Sequence, residues 1–351
     1  MDTPAYSPTP DRRNERHIAL WLLVCCALVF GMVVLGGVTR LTGSGLSMVE
    51  WDPIFGIVPP LNQSEWQEAF TLYQASPEFQ KINVGMDLSG FKQIYWFEFS
   101  HRILGRAIGM VFLLPFLYFL ARGMIRRSLA PQLITMFVLG GLQGLLGWYM
   151  VKSGLVDDPH VSQYRLTAHL ILAFVIYAYM FRVALDLLLS GKNDITRTGT
   201  GNMRMSARLL GLLIFITVVS GGFVAGLKAG FAYNTFPLMD GHWIPEVIFL
   251  QQPLWRNFFE NIATVQFDHR LLATLTFVAV VIFWLAARRR IHMPQARAGI
   301  HLLLVVAMLQ VTLGISTLLL HVPVALAAAH QGGALLLFTA VLFVDHRLNN
   351  E

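Results

Sequence analysis

The sequence predicts an all-α polytopic membrane protein: eight transmembrane helices arranged as two repeated four-helix bundles, related by a pseudo-twofold axis along the membrane normal. Three observations carry this expectation. Hydrophobic residues fill 55% of the 351 positions and charged residues 13%, with a mean hydropathy of +0.58, which leaves no room for a soluble domain of any size. Eight apolar runs, at about 18–38, 97–121, 131–151, 165–189, 209–229, 263–287, 298–320 and 325–344, are near or above the roughly 20 residues a helix needs to cross a hydrocarbon core. The last four runs also repeat the motifs of the first four in the same order.

Taken along the chain, residues 1–16 are Pro-rich, charged and poor in apolar residues, and read as a disordered cytoplasmic tail. The first run lacks a cleavage site and is too long for a removable signal peptide, so it is a retained span. Within it, Cys25 and Cys26 are adjacent, which disfavours a disulfide, and they read as small packing residues. A large outer loop, 39–96, opens with Gly36-Gly37-Val38-Thr39-Arg40-Leu41-Thr42-Gly43-Ser44-Gly45-Leu46-Ser47 and contains the helix breakers Pro53, Pro59 and Pro60. Its tryptophans, Trp51, Trp66 and Trp96, are suited to the membrane surface. Ser64 to Phe70 has a cap and an apolar spacing, so a short helix is expected there.

A basic connector at about 190–208 divides an N-terminal bundle, 17–189, from a C-terminal bundle, 209–346. With the N-terminus inside, fifteen Lys and Arg fall on inner segments, among them Arg122, Arg126, Arg127, Arg288, Arg289 and Arg290, against seven on outer ones. This asymmetry places both termini in the cytoplasm. The net charge of +6 therefore reflects topology and anionic lipid and gives no reason to expect nucleic acid.

The repeat is explicit. Gly36-Gly37 matches Gly221-Gly222, Phe99-x-His101-Arg102-x-Leu104 matches Phe267-x-His269-Arg270-x-Leu272, Leu142-Gln143 with Gly147 matches Leu309-Gln310 with Gly314, and Ala168-His169 matches Ala329-His330. The paired histidines are separated by 168 and 161 residues. All four lie near the starts of even-numbered spans, and so at one depth near the outer surface. A lone intramembrane histidine is most simply a packed residue bonded across helices. Four in repeat register form a functional candidate. Bundles build cofactor sites from facing side chains, and haem iron accepts axial imidazoles from both faces. Arg102 and Arg270 are placed to pair with propionates. Zinc or copper is disfavoured because each half offers two intramembrane ligands. Of the other histidines, His301 and His321 are the two worth following, though neither has a repeat partner.

The halves differ at one position. Glu98 lies three residues before His101 on the same helical face, whereas Gln266 precedes His269. A carboxylate there could exchange protons beside a haem, or it could simply pair with Arg102 one turn on. Asp268 could orient a histidine as an acceptor or face water. On this reading the first half is the reactive one and the second a holding site.

In this order and spacing the residues resemble the heme A synthase family of cytochrome oxidase biogenesis. The resemblance covers nearly the whole chain: the stretch from Gly36 to Met48, Trp51-Asp52-Pro53 to Pro59-Pro60, Glu98 to Arg102, the loop from Ala229 to Gly241, and the four histidines. It implies eight helices in two bundles, with haem b held by His269 and His330 and the substrate, haem O, bound near His101 and His169. Glu98 would be the catalytic group for oxidation of a porphyrin methyl to a formyl by successive hydroxylations, giving haem A. It also implies partners, a haem O synthase and oxidase assembly factors, and leaves open whether the protein forms a homo-oligomer. Some members carry a cysteine pair in the outer loops; this chain has none there. The short N-terminus, without a transit peptide, suggests a bacterial plasma membrane. The alternative reading is a di-haem membrane cytochrome b for electron transfer, which would have no need of a carboxylate in one half alone. A transporter is more distant, since broken mid-membrane helices are not evident.

Overall fold

The computed structural model describes residues 10–50, 56–155, 159–189 and 201–349. The described residues are all-helical, with no strand and a single isolated bridge between Met239 and His242. Eight helices are long and apolar enough to cross a membrane: α1 (Pro10–Leu41), α4 (Leu88–Ala121), α5 (Ala130–Gly154), α6 (Gln163–Leu189), α7 (Gly201–Gly226), α9 (Ile262–Ala287), α10 (Pro294–Leu319) and α11 (Val324–Leu348). Short helices α2 (Gln63–Gln74), α3 (Pro77–Lys81) and α8 (Asn257–Glu260) lie in the connections. Helices suit this setting because each satisfies its own backbone polar groups.

The helices run past the hydropathic runs at several ends. Helix α1 begins at Pro10, so residues 10–16 are its first turns rather than a disordered tail, and Glu15 is held by Arg126 at 2.7 Å beyond the end of α4. Helix α7 begins at Gly201, inside the stretch expected as connector, because Arg204 and Arg208 reach Asp345 of α11 at 3.7 and 3.2 Å. Residues 1–9 and 190–200 lie outside the described residues.

Helices α1, α6, α7 and α11 form the centre: α1 packs on α6 and α11, and α7 on α6 and α11. Helices α4 and α5 flank one side and α9 and α10 the other. One apolar cluster runs through all eight, from Leu22 and Phe174 to Ile214, Ile300 and Leu335. The two halves therefore share a core instead of enclosing one each. Polar contacts fasten both ends of this centre. At one end Asp345 accepts from Arg182 at 2.9 Å, while Asp186 meets His346 at 3.0 Å. At the other, Arg40 of α1 donates to the last carbonyls of α7, Ala225 and Gly226, satisfying orphan helix-end acceptors.

The first outer loop is a folded cap. Because α4 starts at Leu88, the loop narrows to 42–87, and Asp87 caps α4 by accepting from Gly90 N–H at 2.8 Å. Helix α2 is capped by Asn62, two residues before the expected Ser64, with Glu65 reaching back to Leu61 N–H in the reciprocal manner of a capping box. Trp66, Phe70, Tyr73, Phe91, Tyr95 and Phe99 form one aromatic cluster. Trp66 is thus core, 8% exposed, and not a membrane-surface anchor; Trp96, 45% exposed, remains free for that place. Trp51 lies outside the described residues. Glu78 is buried in the cap, accepting from the Tyr73 hydroxyl at 3.1 Å. Burial pushes its carboxyl from 4.5 up to about 7; the Tyr73 bond and Lys228 pull it back, and the charge of Glu98 adds to the rise.

Candidate haem site

Each of the four histidines lies against a glycine of a neighbouring helix. A Cβ added at Gly36 of α1 would meet His101 Nε2 at 3.1 Å, and one at Gly147 of α5 would meet His169 Cε1 at 2.9 Å. At Gly221 of α7 and Gly314 of α10 the same atom would meet His269 Cε1 at 3.1 Å and His330 Cε1 at 2.8 Å. The absent side chain lets each imidazole lie close to helix backbone. Gln143 and Gln310 add matching bonds, donating to the carbonyls of His169 and His330 at 3.0 and 2.9 Å.

The rings of His269 and His330 make an edge contact, with centroids 6.5 Å apart and planes at 87°. An imidazole–metal bond is about 2 Å, which sets the centroids of two axial imidazoles on one metal roughly 6 Å apart. The tautomer of His269 follows from its neighbour. Ser220 Oγ donates its one hydrogen to Thr217 carbonyl at 2.8 Å, so toward His269 Nδ1, also at 2.8 Å, it accepts. Nδ1 then carries the proton and Nε2 keeps its lone pair for a metal. Nδ1 of His169 and of His330 are buried with no hydrogen-bond partner, a state buried polar atoms rarely keep. Among the described residues no three His, Cys, Asp or Glu cluster to hold a bare ion. Paired imidazoles on glycine cradles suit a metal that brings its own equatorial ligands, as haem does.

The structure brings Glu98 and Arg102 together as a buried ion pair at 2.6 Å. The other carboxylate oxygen of Glu98 accepts from Ser47 Oγ at 2.7 Å and Met48 N–H at 2.9 Å. Arg102 continues to the carbonyls of Met48 and Glu50 at 2.9 and 3.2 Å. In the second half Arg270 donates to the carbonyls of Tyr233, Thr235 and Leu238 at 2.8, 2.9 and 3.3 Å, and Gln266 donates to that of Tyr233 at 3.0 Å. Both arginines, read from sequence as propionate partners, thus hold the outer loops down over the histidines; Nε of Arg270 remains buried and unpaired. Asp268 bonds no histidine among the described residues, and Ser220 does what was expected of it. His301 is engaged by Trp284 Nε1 at 2.9 Å, which gives it a packing role. His321 sits in the turn after α10 with φ 59°.

Three participants went unread in the sequence: Ser220, Ser47 and Tyr233. Ser220 had a signal, since it precedes the glycine pair that matches Gly36-Gly37, where the first half has Leu35. The other two lie within stretches singled out by the family resemblance, Gly36 to Met48 and Ala229 to Gly241, but act from loops far along the chain, and nothing in the sequence tied them to Glu98 or Arg270.

Residues 19–342 match the family model described as cytochrome oxidase assembly protein, COX15-CtaA. Over 337 residues the chain is 58% identical to a protein of Nitrosospira multiformis named heme A synthase, covering 96% of this chain and 95% of that one. It is 52% identical to the heme A synthase of Nitrosomonas eutropha, over 98% of this chain and 97% of that protein. To the heme A synthase COX15 of Arabidopsis thaliana it is 47% identical, over 97% of this chain and 76% of that protein. A match of this extent, on a multi-pass helical chain with paired histidines in each half, leads to one conclusion: the chain belongs to the COX15-CtaA family of cytochrome oxidase assembly proteins.

Proposed function

We propose that this protein is a heme A synthase, an oxidoreductase that converts the methyl group of haem O to a formyl group by successive hydroxylations and loss of water. The relatives' names support a heme A synthase, and the observation in this chain that carries it is the buried Glu98–Arg102 pair, with Glu98 three residues before His101 and Arg102 directly after it. His101 and His169 hold the substrate haem in the first half. His269 and His330 hold haem b in the second, with Arg270 closing the loop above them. When bound there, that haem would supply an electron relay or act as a structural cofactor. Ser220 fixes the His269 tautomer, the glycine cradles set both imidazoles close to the helix backbone, and the clamped loops keep water from the sites. Glu98 is the proton-transfer or charge-stabilising group on the outer side of the first site.

The two halves are repeats around a pseudo-twofold axis, a reading supported by α1 packing on α4 as α7 packs on α9. The charge asymmetry supports both termini cytoplasmic and the histidines toward the outer side of the membrane. The partners are an enzyme supplying haem O and assembly factors receiving haem A. The test is extraction and chromatography of the haems from protein produced with a haem O source, for the native chain and Glu98→Gln. Haem A from the native chain, with haem O or a hydroxylated intermediate accumulating in the variant, is expected. Two haem b per chain in both samples would instead make the protein a di-haem electron carrier.

A further inference from the structure

At the end of the bundle opposite the histidines, Arg347 in the last turn of α11 is 4% exposed. One guanidinium nitrogen, Nη2, donates to the thioether of Met293 at 3.2 Å, a weak acceptor. Nε and Nη1 are buried with no partner. Arginine does not shed its charge, and the acidic groups at this end are taken: Asp345 by Arg182, Arg204 and Arg208, Asp186 by His346 and Arg182. Among the described residues, this buried cation has no counter-ion.

Met293 is also the N-cap of α10, a helix of 26 residues, and its side chain makes no cap bond. Pro294 at the first helical position has no N–H to give. The amides of the first turn are therefore orphans carrying the positive end of the helix dipole. Two independent cationic features meet at one half-buried, flexible side chain. The same end carries Arg288, Arg289, Arg290 and Arg297, which add to its positive charge. The place lies where the spanning helices α9 and α11 end and α10 begins.

We propose that Arg347 and the N-terminus of α10 form a binding site for the phosphodiester of an anionic phospholipid, with Met293 moving aside to admit it. The planar guanidinium matches two phosphate oxygens, helix N-termini bind phosphate, and basic pockets between spans on the cytoplasmic side take anionic headgroups.

The experiment uses the full chain purified in neutral detergent, with native mass spectrometry of retained lipid and thermal unfolding in the presence of phosphatidylglycerol, phosphatidylcholine or inorganic phosphate. Arg347→Gln, Arg347→Lys and, at an exposed arginine, Arg289→Gln are compared with the native chain. The native chain and Arg289→Gln should retain one tightly held phosphatidylglycerol and gain thermal stability from it, but not from phosphatidylcholine. Arg347→Gln should bind it about tenfold more weakly or worse, with Arg347→Lys, the variant that keeps the charge, in between. Should Arg347→Gln fail to fold, the lysine variant and the retained-lipid count of the native chain decide. Equal responses to the two lipids, no retained anionic lipid, or an Arg347→Lys variant indistinguishable from native would overturn the site. Stabilisation by inorganic phosphate alone, lost in the variants, would overturn the lipid assignment.

Discussion

The two halves meet their outer loops with opposite polarity at one position. In the first, residue 98 faces two donors, Ser47 O–H and Met48 N–H, and is a carboxylate; in the second, residue 266 faces the Tyr233 carbonyl and is an amide. The residue type follows what the loop presents. Glu98 is therefore an anchor for the loop as well as the charge proposed to act on the substrate, and its partner Arg102 balances a buried anion that Arg270 has no counterpart for. The halves also differ behind the histidine, where Ser220 bonds His269 while the matching position near His101 is Leu35. One half has its histidine fixed in a single tautomer; the other leaves its histidine free of that bond.

The largest expected effect breaks this symmetry directly. Arg102→Ala leaves Glu98 buried and unpaired and should destabilise by about 3–5 kcal/mol. Arg270→Ala removes only hydrogen bonds to carbonyls and should cost about 1–3 kcal/mol. Chemical unfolding in detergent measures both, and equal losses would remove the distinction between the halves. Next is the cap of the first half. Glu78 titrates near 7 when folded against 4.5 ordinarily, so between those values the folded state holds a proton the unfolded state has lost. Cap stability is greatest below about pH 4.5 and falls as pH rises to 7, by on the order of 3 kcal/mol. Hydrogen exchange over residues 63–87 at pH 5 and pH 8 should show this, and Glu78→Gln should abolish the difference.

Smaller is the effect of Ser220→Ala, expected to weaken haem retention in the second half about 10- to 100-fold, read by titration of haem into the stripped protein. Leu35→Ser should not harm the first half. Smallest are the glycine cradles: Gly314→Ala, where the added carbon meets His330 at 2.8 Å, should cost about 1–2 kcal/mol. Gly36→Ala, at 3.1 Å from His101, should cost less. Unfolding and the haem Soret position would check that order; an inverted one would mean that the first-half histidine is the more tightly held.

Hydropathy made the eight spans legible because lipid requires long apolar helices whatever the tertiary structure. It failed at their ends. Residues 10–16 and 201–208 are polar, and what makes them helical is a distant partner, Arg126 for Glu15 and Asp345 for Arg204 and Arg208. Periodicity exposed the histidines, and the spacing of Glu98 and Arg102 offered their ion pair as one of two options. The same spacing said nothing of Ser47 or Met48, about fifty residues away, whose loop decides where Arg102 points. Trp66 differs from expectation for a related reason: an aromatic in a polar loop looks like a surface anchor until Phe91 and Tyr95 of α4 close over it.

The shared apolar core has a consequence for the integrity of the chain. Helices α1 and α7 each pack on both α6 and α11, so what holds the halves together is side-chain contact across the centre, with Arg40 and Asp345 as fasteners at either end. Two separately translated pieces, cut between residues 190 and 200, should therefore find each other in one bilayer and co-purify as a functional pair, whereas either piece alone would expose its half of the core to lipid and be degraded.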